Sequence, residues 1–223
     1  MVQFNTKIVA AAATALAALL GFQSTFAQTA TPPQPLSPIT LAGDATRGAV
    51  LAETCLGCHG VPGYHNAYPA YMVPKLGGQN ADYLEVALQG YRRGTRGHPT
   101  MQVQAASLSD QDIADIAQYL STLPGEADAG RGKQTAAQIE EGRRKATACV
   151  QCHGQEGVAA APQWPNLAGQ HESYLLEALS QYKSGRRVDL LMNPLIGPLD
   201  QQTIEELAAF FSSQQHLYTT ARE

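Results

Sequence analysis

Positive charge is scarce in this chain of 223 residues. Fifteen Lys and Arg stand against 19 Asp and Glu, for a formal net charge of −4, and after residue 27 the only lysines are Lys75, Lys133, Lys145 and Lys183. An acidic chain of this kind lacks the basic footprint that nucleic acid requires, and it cannot ring a docking site densely with lysine. Long apolar runs are missing too. Beyond the amino-terminal segment nothing approaches the roughly 20 residues that cross a bilayer. Strand-like alternation is absent, which leaves helices as the building material. Cysteine is confined to Cys55, Cys58, Cys149 and Cys152, all in C-x-x-C pairs, so the dispersed cysteines of a disulfide framework are lacking. What remains is a globular composition, 44% hydrophobic, with length for one large or two small domains.

The amino terminus does carry a pattern. Lys7 precedes the alanine-rich run Ile8 to Leu20, and Thr25-Phe26-Ala27 supplies a small-residue cleavage site, so residues 1–27 read as a secretory signal. The alternative is a retained membrane anchor, but the run of about 13 residues is short for that. Cleavage takes the formal charge from −4 to −5 and sends the mature protein to the periplasm. Residues 28–42, rich in Pro and Thr, read as a flexible lead-in.

Each cysteine pair is followed directly by a histidine, giving Cys55-x-x-Cys58-His59 and Cys149-x-x-Cys152-His153 at an offset of 94, with Gly48 and Ala52 recurring as Gly142 and Ala146. Downstream the offset becomes 91. Leu76, Gly78, Gln79, Tyr83, Leu84, Ala87, Leu88, Tyr91, Gly94 and Arg96 return as Leu167, Gly169, Gln170, Tyr174, Leu175, Ala178, Leu179, Tyr182, Gly185 and Arg187. Met101, Leu108 and Ile113 likewise match Met192, Leu199 and Ile204. Two copies of one unit therefore fill the chain after the lead-in.

The spacing predicts the same helical plan in each copy. A first helix runs from about Ala45 or Ala136 into the cysteine motif, capped by Asp44 or Thr135; a second covers Ala81 to Arg93 or Glu172 to Ser184; a third starts after Ser109 or Asp200. Ile113, Ile116, Ala117 and Leu120, matched by Ile204, Leu207, Ala208 and Phe211, fall at i, i+3, i+4 and i+7 and should face a core. The expected fold class is all-α, with two tandem helical domains at 43–124 and 135–216, a glycine-rich linker at 125–134 and a tail at 217–223. Units this small bury little apolar surface by themselves, so a large cofactor is a natural part of the interior.

The motif says which cofactor. Two thiols three positions apart reach the two vinyl groups on one side of a porphyrin and form thioethers, and the adjacent histidine is carried beneath the iron. Cys55, Cys58, Cys149 and Cys152 thus attach two haem c groups, with His59 and His153 as iron ligands. The competing readings are a zinc site and a thiol redox pair. The repeated histidine and the missing βαβ context count against both.

For the sixth ligand, Met101 and Met192 occupy matching places before the third helix, whereas Met72 has no counterpart. Methionine opposite histidine raises the potential and suits electron transfer. A methionine there also serves as core filler, and in the first copy His98 and Met72 compete. His65, His171 and His216 read as solvated. Pro74 and Pro165 each offer a carbonyl that can accept the histidine Nδ1 proton, with loop rigidity as the plainer role. Arg96 and Arg187 read either as partners of haem propionates or as solvated helix-end charges.

With these residues in view, the chain resembles the dihaem cytochrome c4 family of class I c-type cytochromes from Gly43 to Ser213, most closely through Pro165-Asn166-Leu167-Ala168-Gly169-Gln170, Tyr174, Gly185-Arg186-Arg187, Met192 and Leu199. The resemblance implies two helical cytochrome c-like domains with neighbouring haems, His/Met ligation and an electron carrier rather than an enzyme. It also implies redox partners: a quinol-oxidising cytochrome bc complex or a dehydrogenase as donor and a haem-copper terminal oxidase as acceptor. The carrier would diffuse freely or associate loosely with the membrane. The tyrosine-rich loop Tyr64 to Tyr71 and Leu76-Gly77-Gly78 depart from the family pattern. Two other roles stay open: an electron-accepting subunit of a periplasmic dehydrogenase, and a dihaem peroxidase or thiosulfate-oxidising enzyme. The second of these is opposed by a methionine in each unit and by the lack of a fifth cysteine.

Overall fold

A computed structural model describes residues 35–125 and 132–220. The signal segment, residues 28–34 of the lead-in, linker residues 126–131 and tail residues 221–223 lie outside the described residues. From Pro35 onward the chain forms one compact unit that holds both copies. In order, its elements are α1 (Ala45–Leu51), α2 (Glu53–His59), β1 (His65–Asn66), β2 (Tyr71–Met72), α3 (Ala81–Arg93), α4 (Pro99–Ala106), α5 (Asp110–Thr122), α6 (Ala136–Lys145), α7 (Val150–His153), α8 (Glu172–Ser184), α9 (Met192–Ile196) and α10 (Gln201–Ser213).

The helix starts are set by local chemistry. Asp44 accepts the Thr46 and Arg47 N–H groups at α1, and Thr135 and Ser109 close capping boxes with Gln138 and Asp112 at α6 and α5. Asp200 accepts the Thr203 N–H at α10. The apolar stripes then do what their spacing requires. Ile113, Ile116, Ala117 and Leu120 on α5 are buried, as are Ile204, Leu207, Ala208 and Phe211 on α10. Helix α1 packs on α5, and α6 on α10.

The matched glycine and alanine mark where those helices cross. A Cβ on Gly48 would sit 2.0 Å from the Asp115 carbonyl oxygen, and one on Gly142 would sit 1.9 Å from that of Glu206. Backbones this close admit only glycine. Ala52 and Ala146, both 0% exposed, lie one turn later. There the expected single first helix breaks, into α1 and α2 or into α6 and α7, so that the cysteine segment turns away at a point with room for no larger side chain.

The two copies meet about a pseudo-twofold arrangement built from repeat-matched residues. The Gln79 amide donates to the Asn166 carbonyl (3.0 Å) and accepts the Asn166 N–H (2.9 Å). Gln170 does the same to Lys75, at 3.0 and 2.9 Å. Lys75 and Asn166 are themselves repeat equivalents. The Gly97 N–H donates to the Arg186 carbonyl (2.9 Å) and the Val188 N–H to the Thr95 carbonyl (2.8 Å), again a matched pair. This is the self-complementary contact of a twofold dimer, made within one chain.

Four expectations change. The tyrosine-rich loop closes as the antiparallel hairpin β1–β2, whose two-residue strands are too short to show alternation. Residues 35–42 of the lead-in are held along α3, since the Ile39 N–H donates to Glu85 Oε2 and the Gln89 amide to the Ser37 carbonyl. Residues 217–220 do not hang free: Leu217 is 0% exposed and Tyr218 exchanges both backbone hydrogen bonds with Gly77 of the first copy. His171 is buried at the cap of α8, and His216 is half-buried with Nε2 3.1 Å from the Gly78 carbonyl.

Candidate functional site

Within each copy one helical turn presents three of the expected groups. Cys55, Cys58 and His59 lie on α2; Cys149 precedes α7, which carries Cys152 and His153. All four cysteines are free thiols of intermediate burial. Burial pushes the Cys55 and Cys149 thiols above their ordinary range. A thiol redox pair needs the opposite shift. Nor is there, among the described residues, a group of three or more His, Cys, Asp or Glu arranged to hold a metal ion by themselves. The zinc and thiol readings therefore lose their footing.

The histidines are fixed from behind. His59 Nδ1 lies 2.8 Å from the Pro74 carbonyl oxygen and His153 Nδ1 lies 2.9 Å from that of Pro165. A carbonyl only accepts, so each ring donates its Nδ1 proton and keeps the Nε2 lone pair for the other side. Proline at the acceptor position has no N–H to compete. Both rings are buried, and burial pulls their basicity below the usual histidine range, which favours the neutral form a metal ligand needs.

Met101 and Met192 stand on separate short helices, α4 and α9, that pack on α3 and α8. Both side chains are half-buried. The structure thus joins each cysteine pair, histidine and proline carbonyl, and carries each methionine on a separate segment. Met72, the competitor in the first copy, is buried in β2 with its N–H on Ser173 Oγ (3.0 Å), a contact between copies. His65 is on the surface.

Repeat matching singled out Tyr83, Tyr174, Arg96 and Arg187 but could not show that they meet. Arg96 donates to the hydroxyls of Tyr83 and Tyr174, both at 3.3 Å, and Arg187 donates to Tyr83 at 2.8 Å. The guanidiniums also lie over rings, Arg96 at 4.6 Å from Tyr91 and Arg187 at 4.6 Å from Tyr182. Burial would push the Tyr83 phenol up, but Arg96 and Arg187 outweigh it and bring it down to about 8. Neither arginine is solvated, at 7% and 6% exposure, and Arg96 Nε has no partner.

This cluster tests whether haem fits. Two buried guanidiniums share a site in which their side-chain hydrogen bonds run to tyrosine hydroxyls, and neither forms an ion pair with a carboxylate among the described residues. Buried like charges without a counterion are costly. A group arriving with carboxylates resolves the imbalance, and haem brings two propionates. The thiol pairs, the histidines with free Nε2 and the anion-seeking arginines together fit two such groups.

Comparison with known proteins agrees. The family described as Cytochrome c matches twice, at residues 45–124 and 139–214. Cytochrome c4 of Pseudomonas aeruginosa is 32% identical over 179 residues, covering 76% of this chain and 88% of that protein. A thiosulfate dehydrogenase electron acceptor of Stutzerimonas stutzeri is 30% identical over 173 residues, 73% of this chain and 79% of the relative. Among solved structures, reduced recombinant cytochrome c4 from Pseudomonas stutzeri aligns with a TM-score of 0.65 at 29% identity, over 78% of this chain and 100% of the other.

Proposed function

We propose a specific role for a chain that belongs to the cytochrome c family and, within it, to the dihaem cytochrome c4 proteins. It is an electron carrier with two covalently bound haem c groups in tandem all-α domains, not an enzyme. The reading concerns where its electrons go: to a haem-copper terminal oxidase, from a quinol-oxidising cytochrome bc complex, in the periplasm. Residues 1–27 are the cleaved export signal, and the two domains run over 43–124 and 135–216.

When bound, each haem supplies reversible one-electron chemistry at iron. Cys55 and Cys58 would hold one group and Cys149 and Cys152 the other. His59 and His153, their rings set by the Pro74 and Pro165 carbonyls, would ligate iron together with Met101 and Met192. Arg96 and Arg187 would balance propionate charge.

One observation carries the reading. In each copy the histidine Nδ1 is bonded to a proline carbonyl, which keeps Nε2 for iron, and a methionine stands on its own helix; with that methionine as sixth ligand no position is left open for a small substrate. Mixing the reduced protein with an isolated haem-copper oxidase in a stopped-flow instrument should give rapid reoxidation. Peroxide or thiosulfate with the protein alone should give negligible turnover, and steady turnover of either would overturn the reading. Salt should change the transfer rate only moderately, because Lys75 is buried and Lys145 and Lys183 are engaged by Glu206 and the Leu199 carbonyl.

A second reading rests on the relative that serves thiosulfate dehydrogenase: this chain accepts electrons from a periplasmic dehydrogenase. Reduction by one co-purifying dehydrogenase, with no transfer to any oxidase, would favour it.

A further inference from the structure

Positions 98 and 189 are the same place in the two copies, at the repeat offset of 91, yet one is histidine and the other aspartate. Both side chains end on the same atom of the neighbouring segment. His98 lies in extended conformation just before α4, and its Nδ1 accepts the Met101 N–H at 3.2 Å. Asp189 Oδ1 accepts the Met192 N–H at 2.9 Å, together with that of Leu191 at 2.9 Å. An imidazole and a carboxylate have little in common except an acceptor atom at this reach. Their shared geometry therefore marks the accepted hydrogen bond as what the position supplies.

We propose that His98 and Asp189 are positioning residues for the two methionines: each pins the backbone N–H of its methionine and so sets where the thioether can stand relative to iron. The inference rests on the reading that Met101 and Met192 are the sixth ligands. It assigns His98 a role other than the competing ligand that its sequence position allows, because the Nδ1 lone pair is committed to Met101. The ring is held for that task by Tyr71 and Tyr91, which meet it edge-on at 6.3 and 6.4 Å with interplanar angles of 80° and 79°.

The two segments are not equally secured. In the second copy Asn193 adds further bonds: its amide donates to the carbonyls of Tyr182 (2.6 Å) and Arg187 (2.9 Å), and its Oδ1 accepts the Asp189 N–H (2.5 Å). The matching residue of the first copy is Gln102. The Met101 segment thus depends more on its one capping side chain than the Met192 segment does.

The test uses the full-length dihaem protein and reads the methionine-to-iron charge-transfer absorption of the ferric form during guanidinium titration, with far-ultraviolet circular dichroism recorded in parallel. In His98→Ala, half of the absorption should disappear at lower guanidinium than in the parent. The equilibrium for detaching one methionine should move about fivefold, before any helical signal is lost. His98→Asp should restore the parent behaviour by installing the acceptor of the second copy, and the second haem serves as an internal control for folding. Asp189→Ala should give a smaller shift in the other half. The proposal is overturned if His98→Ala matches the parent, or if His98→Asp behaves like His98→Ala. Met101→Ala separates this from the ligation reading. If the parent shows only one methionine-to-iron contribution, which Met192→Ala removes and Met101→Ala leaves unchanged, while His98→Ala alters the Soret spectrum and potential of the other haem, His98 is itself the ligand, and both the cap and the Met101 assignment fail.

Discussion

The first and second copies of the repeat have been built to the same plan and then altered in different places. Both keep the cysteine pair, the histidine, the proline carbonyl behind it, the glycine at the helix crossing and the glutamine that clamps the other copy. They differ in the loop after the histidine, which is a tyrosine-bearing hairpin in one and an irregular connection in the other. They differ also in the methionine segment, capped by His98 before an eight-residue helix in one and by Asp189 before a five-residue helix in the other. The side chains that would hold the cofactor and the two glutamines that clamp the other copy are retained, whereas Lys75 and Asn166, Thr95 and Arg186, and Gly97 and Val188 meet the contact through backbone atoms and differ. What varies needs only to supply a hydrogen bond of the right reach, and several side chains can do that.

The sharpest way to break the comparison is to remove the cofactor from one side of it. Cys149→Ser with Cys152→Ser should leave a single covalent haem, read by a pyridine haemochrome assay as one per chain instead of two. The second copy should then melt early, because haem is part of a core that buries few other large side chains. The first copy should keep its haem. Two haems remaining on the double variant would show that the cysteines do not carry attachment.

Next in size are the methionines. Met101→Ala and Met192→Ala should each remove one of the two charge-transfer contributions and lower one of the two midpoint potentials in a redox titration. Met72→Ala should do neither, since Met72 is a buried residue of β2 whose N–H is bonded to Ser173 of the second copy. Equal effects from Met72→Ala and Met101→Ala would end the equivalence of the two copies at the iron.

These experiments bear on what could be read from the residues alone. Attachment chemistry fixes the spacing of thiols and histidine, so the cofactor was legible at once. The periods of α3, α5, α8 and α10 were legible because each is a full amphipathic helix with a cap. The short helices α4 and α9 were not, since Pro99 and Pro194 and lengths of only eight and five residues hide any period. Matching also could not say which way a matched residue faces. Gln79 and Gln170 could equally have lined a haem pocket, and only the folded chain shows each clamping the backbone of the other copy. His171 was misread for a related reason: a polar residue at a helix start is normally solvated, and here it is buried at the start of a helix that packs on β2 of the other copy. Arg96 and Arg187 lie three residues past the ends of α3 and α8, where solvation is the ordinary outcome, yet both are buried among tyrosines.

A smaller and more local effect should come from the helix crossings. Gly48→Ala and Gly142→Ala each place a Cβ about where a carbonyl oxygen of the partner helix already lies. Relief requires α1 to move off α5, or α6 off α10. A cost of about 1 to 3 kcal/mol is expected for each, a fall in Tm on the order of 5 °C. The two variants should be nearly equal, because the approach is nearly equal. A loss confined to one of them would mean that the crossings carry different loads despite their matching geometry.

The smallest effect expected is in acid, and it concerns the same crossings. Asp115 on α5 and Glu206 on α10 are repeat equivalents, both with buried side chains, and each takes its cation from the helix it crosses: Arg47 of α1 for Asp115, Lys145 of α6 for Glu206. Arg47 corresponds to Glu141 and Lys145 to Leu51, so the carboxylate kept its place while the cation moved. Burial pushes the Asp115 carboxyl up, but the Asp44 N–H, the Gln111 amide and Arg47 outweigh it and leave it below the ordinary carboxylate range. Lys145 and Gln202 hold Glu206 below that range as well. A carboxylate depressed in the folded state binds fewer protons there than in the unfolded chain, so its contribution is complete above the unfolded value of about 4 and is lost as pH falls through the folded one. Tm should therefore drop between about pH 5 and pH 2. Asp115→Asn and Glu206→Gln should both start lower at neutral pH and show a flatter acid slope. The flattening should be greater for Asp115→Asn, whose carboxylate also accepts a backbone N–H. Acid slopes in both variants as steep as in the parent would place the acid sensitivity elsewhere and remove the crossings from this part of the comparison.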